Sequence, residues 1–528
     1  MLLQPSLHHH NKATLSSTQA YSIIPGFNRP KTLNFHKSPV TVTCSISQIH
    51  SYGTMDYEKR PVVKWNAVYK KISRMEKPDL GAASVLRQWE KEGKMLTKWE
   101  VCRVVKELRK FKRYKQALEV YEWMNNRGER FRLSSSDAAI QLDLIAKVRG
   151  ISVAEDFFTR LPDSLMDKRM CGALLNAYVR ATMLEKAEAF FDDMRSKGYA
   201  THHLPFNVMM TLYMNLKEYD KVESIISEMM QKNIQLDIYS YNIWLSSRGS
   251  QGSSERMEQV FELMKQDRTI NPNWTTFSTM ATMYIKLGQL DKAQDCLKKV
   301  ESRITGRDRI PYHYLLSLYG TVGNKDEIYR VWNIYKTLFP SVPNMGYHAM
   351  ISSLNRVGDV EGAEKIYEEW LSVKSAFDPR IANLLMGWHV KDGNLDRAES
   401  IFNEMLEMGG KPNSSTWAIL AEGHTAERRI SEALSCWKKA YAAEGSNEWK
   451  AKPERTAAFF KLCEDEADMA SKEALVELMR QSHSGLIDGD LIGTKVSIEK
   501  GKTVNDNDDD EIEDERSEVL LNQDQGSI

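Results

Sequence analysis

Small and large apolar residues recur along the chain with a fixed period. Segments beginning at Lys98, Leu133, Lys168, His203, Ile238, Trp274, Arg309, Asn344, Pro379 and Ser414 repeat every 35 residues, with one unit of 36 at 238–273 and the last ending at 448. The twentieth position holds Ala117, Ala187, Val222, Ala293, Ala363, Ala398 and Ala433. The twenty-fourth is large, as in Tyr121, Phe191, Trp332, Tyr367 and Trp437. The twenty-seventh is mostly methionine, as in Met124, Met194, Met229, Met264 and Met405. Offsets of four and three put these residues on one helix face. An earlier helix-length pattern precedes them in each unit, for example Phe206-Asn207-Val208-Met209-Met210-Thr211-Leu212-Tyr213. Gly288, Gly323, Gly358 and Gly393 mark the turn between the two.

Each unit therefore reads as a helical hairpin. One hairpin cannot bury its apolar face alone, whereas stacked hairpins can. The predicted fold is all-α, a right-handed superhelical solenoid of about ten 35-residue helix-turn-helix repeats over 98–448. Unit 133–167 is degenerate, with its second helix displaced about two residues and Ala154 as its small residue. Residues 56–97 and 449–483 read as capping helices.

Composition narrows the class. The chain has 528 residues, 42% hydrophobic, and no apolar run of membrane-spanning length, so no membrane role is expected. Six cysteines form no C-x-x-C pair, which argues for free thiols rather than a disulfide scaffold or zinc ribbon. Residues 1–55 hold four Lys/Arg and no acidic residue, are rich in Ser and Thr, and read as an organelle transit peptide. Val42-Thr43-Cys44-Ser45 resembles a plastid processing site, so the expected address is the chloroplast, with the mitochondrion as alternative. Residues 484–528 carry a net charge of −9 and read as an acidic disordered tail. Residues 56–132 carry +10 and residues 133–483 carry −5, so the front end suits a polyanion.

The repeat resembles the pentatricopeptide repeat (PPR) family, P-class and plant organellar. The likeness rests on stretches such as Tyr239-Ser240-Tyr241-Asn242 and Ile401-Phe402-Asn403-Glu404-Met405, in register across 98–448. It implies an RNA-binding solenoid in which the fifth and last residues of a unit contact one base. The pairs are Asn207 with Asp237, Asn242 with Asn273, Ser278 with Asp308, and Asn383 with Asn413. The resemblance implies U, C, G and C for these, hence a core of U-C-G-x-x-C. Each asparagine also suits a helix cap. Pairs such as Cys102/Arg132, Asp137/Asp167 and Ala418/Glu448 do not fit the family pattern. Second positions, which clamp bases in the family, hold Leu204, Tyr239, Thr275, Ile310 and Met345. Thirteenth positions hold Lys110, Arg180, Lys286, Arg356 and Lys391, where the family places cations near the RNA backbone. Cations also favour helix C-termini for dipole reasons alone.

The implied function is a sequence-selective single-stranded RNA-binding adaptor in organellar transcript processing, stabilisation, splicing or translation. Other RNA-processing proteins are candidate partners. The alternative is a helical-repeat protein scaffold that has lost most RNA contacts. No catalytic constellation, metal set or cofactor motif is expected. The His-x-Glu and Cys-x-x-Cys set of a zinc deaminase is missing from the sequence.

Overall fold

The computed structural model describes residues 63–75, 81–305, 308–374, 377–444, 449 and 453–483. The leader 1–55, the tail 484–528 and Glu448 lie outside them. The described residues form 24 α-helices and no strand. The first hairpin is α1 (Val63–Ser73) and α2 (Gly81–Lys91). Then come α3 (Lys98–Lys110) with α4 (Tyr114–Asn125), α5 (Ser135–Arg149) with α6 (Ile151–Thr159), and α7 (Lys168–Arg180) with α8 (Leu184–Ser196). Next are α9 (His203–Asn215) with α10 (Tyr219–Gln231), α11 (Ile238–Ser250) with α12 (Ser254–Gln266), and α13 (Trp274–Lys286) with α14 (Leu290–Ser302). Then follow α15 (Ile310–Val322) with α16 (Lys325–Leu338), α17 (Asn344–Arg356) with α18 (Val360–Val373), and α19 (Pro379–Lys391) with α20 (Leu395–Glu407). The last two are α21 (Ser414–Ala426) with α22 (Ile430–Glu444), and α23 (Pro453–Asp465) with α24 (Met469–His483).

Local chemistry sets the helix boundaries. Thr97, Asp237 and Asn413 cap α3, α11 and α21, and each donates its backbone N–H to the side chain three residues into the cap. The turn inside a hairpin needs one left-handed residue. Glycine supplies it at Gly252, Gly288, Gly323, Gly358 and Gly393. Lys112, Thr182, Lys217 and Arg428 hold the same place at φ 54, 55, 59 and 61°. For a residue with a Cβ that conformation costs about 1–2 kcal/mol.

From α5 onward each first helix packs on the first helix of the next hairpin, α5 on α7 and so on to α21 on α23. Each second helix from α4 to α22 touches its own partner and the first helix that follows. The hairpins α1–α2 and α23–α24 extend the stack at either end. The result is a solenoid whose core is shared between neighbours. Ala117, Ala187, Ala293, Ala363, Ala398 and Ala433 are all fully buried, which lets the helices approach. Trp332, Trp370, Trp437, Tyr121 and Phe191 fill the space between hairpins and are at most 1% exposed.

The second unit departs from the sequence register. Its first helix starts at Ser135, two residues after the period places it, because Ser134 and Asp137 form a reciprocal capping box. Both helices of this unit are therefore displaced, not the second alone. The unit expected at Arg309 starts its helix at Ile310, with Pro311 in the first turn.

Candidate nucleic-acid interface

The first helices carry the fifth residues, and the caps between hairpins carry the last ones. Three of the four expected pairs meet. Asn207 Nδ2 donates to Asp237 Oδ1 at 3.1 Å, and Ser240 Oγ donates to Asn207 Oδ1 at 2.7 Å. Asn383 Nδ2 donates to Asn413 Oδ1 at 3.1 Å, and Thr416 Oγ1 donates to Asn383 Oδ1 at 2.9 Å. Asn242 meets Asn273 through a hydroxyl: its Nδ2 donates to Thr275 Oγ1 at 3.0 Å, and Thr275 Oγ1 donates to Asn273 Oδ1 at 2.6 Å. The fourth pair is not joined in this way. Ser278 Oγ donates to Thr275 O, and Asp308 Oδ1 accepts from the Ile310 N–H.

Cap and pair are thus one network. Asp237 and Asn413 use Oδ1 both to cap the following helix and to hold the fifth-position amide, whereas Asn273 Oδ1 caps α13 and holds the Thr275 hydroxyl that accepts from Asn242. Asn207 and Asn242 are 1% and 3% exposed, so each fifth residue is locked in place. None of these bonds uses Asp237 Oδ2 or the Nδ2 of Asn273 and Asn413. Asp237 Oδ2 lies 3.4 Å from His203 Nε2. The atoms these networks leave over are therefore an acceptor at Asp237 and donors at the two asparagines.

The second positions divide. Leu204, Tyr239, Ile310 and Met345 are half-buried. The Tyr239 hydroxyl shares a hydrogen bond with Thr211 Oγ1 at 3.0 Å. Thr275 is buried inside the Asn242–Asn273 network.

Thirteenth residues reach back toward the preceding hairpin. Arg356 Nη1 donates to Ser317 O at 3.2 Å and to Thr321 Oγ1 at 3.1 Å. Arg180 Nη1 donates to Asp143 Oδ1 at 2.8 Å. Lys110, Lys286 and Lys391 are exposed. Counted from Ser135, the thirteenth residue of α5 is Lys147, which the unshifted period misses. The Ser134-x-x-Asp137 spacing is the signal that recovers it. By the same count Asp137 is not a fifth residue; it closes the cap of α5 and pairs with Lys98 at 2.6 Å.

Asp143 gathers three cations: Arg180 at 2.8 Å, Lys147 at 3.4 Å and Arg109 at 3.7 Å. Burial pushes its carboxyl up, but the charges of Lys147, Arg180 and Arg109 together outweigh this and hold it below the usual carboxylate range. Burial in turn pushes the Lys147 ammonium down, and the two arginines add to that.

A polar ladder joins successive hairpins elsewhere. Glu188 accepts from Tyr213 at 3.0 Å and from Lys221 at 2.9 Å. Glu258 accepts from Tyr284 and Lys292, both at 2.8 Å. Glu364 pairs with His389 at 3.3 Å and Arg397 at 2.9 Å. In each case a Glu at position 21 meets an aromatic residue at position 11 and a cation at position 19 of the next unit. The apolar period does not report this pattern. The 35-residue spacing of Glu188, Glu223 and Glu258 would have revealed it.

Among the described residues no group of His, Cys, Asp and Glu could hold a metal ion, and no helix is long and apolar enough to cross a membrane.

A family model described as a pentatricopeptide repeat domain matches residues 224–286, and one for the PPR repeat family matches 380–438. A single-repeat PPR model matches 169–199, 205–234, 275–303 and 347–373. A pentatricopeptide repeat-containing protein of Arabidopsis thaliana is 61% identical over 525 residues, 99% of this chain and 99% of its own. A mitochondrial pentatricopeptide repeat-containing protein of the same plant is 34% identical, over 72% of this chain and 77% of the relative. A large ribosomal subunit protein of Arabidopsis thaliana is 32% identical, over 82% of this chain and 88% of the relative. Among solved structures, a pentatricopeptide repeat protein in complex with an 18-nt RNA element is similar at TM-score 0.44 and 17% identity, over 82% of this chain and 66% of that chain.

Proposed function

The chain belongs to the pentatricopeptide repeat family, and on that premise we propose that it is a sequence-selective binder of single-stranded RNA acting on organellar transcripts. The observation that carries this reading is the paired network. Asn207 and Asn383 are held directly by the cap residues Asp237 and Asn413, Asn242 is joined to Asn273 through Thr275, and the atom each cap residue has left over differs in character between units. Base edges differ in the matching sense. Uracil and guanine present a ring N–H, which suits the carboxylates of Asp237 and Asp308. Cytosine presents a bare ring nitrogen, which suits the Nδ2 donors of Asn273 and Asn413. Helical-repeat readers address unstacked bases through such edges. Tyr239 is the best stacking surface among the second positions, and Leu204, Ile310 and Met345 offer apolar contact. Lys110, Lys286 and Lys391 are the exposed thirteenth-position cations offered to phosphate, while Arg180 and Arg356 make hydrogen bonds to the preceding hairpin.

A fluorescence titration of the full chain with a ten-nucleotide RNA carrying U-C-G-x-x-C tests the reading. Binding is expected to favour this RNA over a scrambled one. Asn207→Ala combined with Asn242→Ala should weaken it about tenfold or more, because these buried amides hold Asp237 and, through Thr275, Asn273 in position for the base edges. With three lysines on phosphate, log K against log salt should fall with a slope of about −2. Absence of binding to any RNA at low salt would sink the proposal.

A protein-scaffold reading has its own support. Leu338, Val373 and Met408 stand at one position of three consecutive units and are 51%, 59% and 50% exposed. The ribosomal relative points the same way. We place the protein in an organelle, chloroplast or mitochondrion, on its leader composition and its mitochondrial relative; import into isolated organelles distinguishes the two.

A further inference from the structure

We propose that units 309–343 and 344–378 read no base, because an aromatic core residue in each holds a polar first-helix residue from within. The RNA element this protein takes is then bipartite: U-C-G and C, separated by two unread nucleotides. The inference rests on the RNA reading above. Both units depart from the repeat at the twenty-seventh position. Five other units carry methionine there, Met124, Met194, Met229, Met264 and Met405, whereas these two carry Tyr335 and Trp370. A thioether has no hydrogen to donate, while a tyrosine hydroxyl and an indole N–H do and need a partner when buried. Tyr335 is 0% and Trp370 1% exposed, and each reaches a polar residue of its own unit's first helix. The Tyr335 hydroxyl shares a hydrogen bond with His313 Nε2 at 3.0 Å. The Trp370 Nε1 donates to Asn344 Oδ1 at 3.0 Å.

In unit 344–378 the last residue is the one taken. An indole N–H only donates, so Trp370 fixes the Asn344 amide with its oxygen inward and its NH2 turned to Asp378. Asn344 Nδ2 donates to Asp378 Oδ2 at 3.1 Å. No other unit begins with asparagine. Arg380 supplies the remaining bonds. Its backbone N–H and Nε donate to Asp378 Oδ1 at 3.2 and 3.1 Å, and its Nη2 donates to Oδ2 at 2.9 Å. An ionised carboxylate has about four lone-pair sites, and these donors fill them. Burial pushes the Asp378 carboxyl up, but Arg380 and Asn344 outweigh this and hold it below the usual carboxylate range. Asp237 is the contrast: its capping and pairing bonds fall on Oδ1, and Oδ2 faces His203 Nε2 at 3.4 Å.

In unit 309–343 the fifth residue itself is taken. Burial, with the charges of Arg309 and His348, pushes the His313 imidazole down to about 4, so the ring is neutral at pH 7. Its Nε2 is engaged by Tyr335, and the last residue, Pro343, has no side-chain donor or acceptor. No fifth-and-last pair can form. Ile310 and Met345 still offer the two bases apolar contact, which does not tell one base edge from another.

The test titrates the full chain with ten-nucleotide RNAs carrying U-C-G-N-N-C, the two gap bases running through every combination. Affinity should vary by less than about threefold across the set, whereas replacing the U, the G or either C should cost about tenfold. A His348→Asn, Asn344→Ser variant releases Asp378 and rebuilds the arrangement of Asn207 with Asp237. It leaves the Trp370 indole without its acceptor, as the indoles of Trp332 and Trp437 already are, and thermal melts confirm the fold. This variant should gain about a tenfold preference for U at the second gap base. Discrimination by the unmodified protein at the gap as strong as at its flanks overturns the proposal and leaves the RNA reading intact. A folded variant without the new preference overturns it equally. If no RNA binds, the RNA reading fails, and the bipartite element falls with it.

Discussion

Asp143 and Glu422 hold the same station, the ninth residue of α5 and of α21, yet their surroundings drive them in opposite directions. Asp143 has Lys147, Arg180 and Arg109 around it and sits below the usual carboxylate range. Glu422 has Arg455 at 3.2 Å and the more distant charge of Lys391, and burial pushes it above that range. Asp143 is buried while the Glu422 side chain is 28% exposed, so burial alone does not set the direction: the more buried carboxylate is the one held down. The number and closeness of the cations do. One carboxylate anchors its region as an anion, and the other strains its region as long as it stays ionised.

The sharpest way to break this contrast is Asp143→Ala. It leaves three clustered cations without their anion and should cost about 3–5 kcal/mol. Hydrogen exchange in α5 and α7 is the appropriate readout, because long repeat arrays do not unfold in one step. Loss of protection confined to those helices is expected.

Acid sharpens the contrast. Asp143 is depressed in the folded state, so its stabilisation is present at neutral pH and is lost as pH falls through its folded value. Glu422 is raised, so its region gains stability as pH falls through its folded value and the buried charge is neutralised. Exchange at pH 5 against pH 7, corrected for intrinsic rates, should show α21 and α23 gaining protection and α5 gaining none. Glu422→Gln should remove the C-terminal response and change stability at pH 7 by only about 1 kcal/mol, since an isosteric amide removes a costly buried charge along with its partners' attraction.

The smallest effects come from the turns beside these two regions. Thr182 follows α7, and Arg428 follows α21, both left-handed. Thr182→Gly should stabilise by about 1 kcal/mol, because a β-branched residue fits that conformation poorly and glycine offsets part of the gain through chain entropy. Arg428→Gly should gain less, because it also removes the surface ion pair to Glu466, worth about 0–1 kcal/mol. Thermal melts rank the two, and a larger gain for Arg428→Gly would contradict the account.

The hairpin repeat was legible because steric need repeats with it. Ala293 and Ala363 stand where two helices touch, and Trp332 and Trp370 stand where the next hairpin must be met. Such constraints leave an apolar rhythm that survives without an alignment. The register of α5 escaped that rhythm, since it depends on a polar capping box at Ser134 and Asp137. The meeting of Asn207 with Asp237 followed from the family likeness, but their dual use as cap and pair did not, because it depends on Ser240 in the next helix. The engagement of Arg180 by Asp143 was equally hidden: 37 residues separate them, and no local pattern links them.

The paired networks also bear on how units of this protein can be exchanged. Asn207 is held by Ser240, and Asn383 by Thr416, each 33 residues further on and three residues inside the following helix. A graft cut at a helix start therefore separates a reader from its own support. Transplanting a specificity intact means cutting past the third residue of the next first helix. The heritable unit of recognition is offset by a turn of helix from the unit of folding.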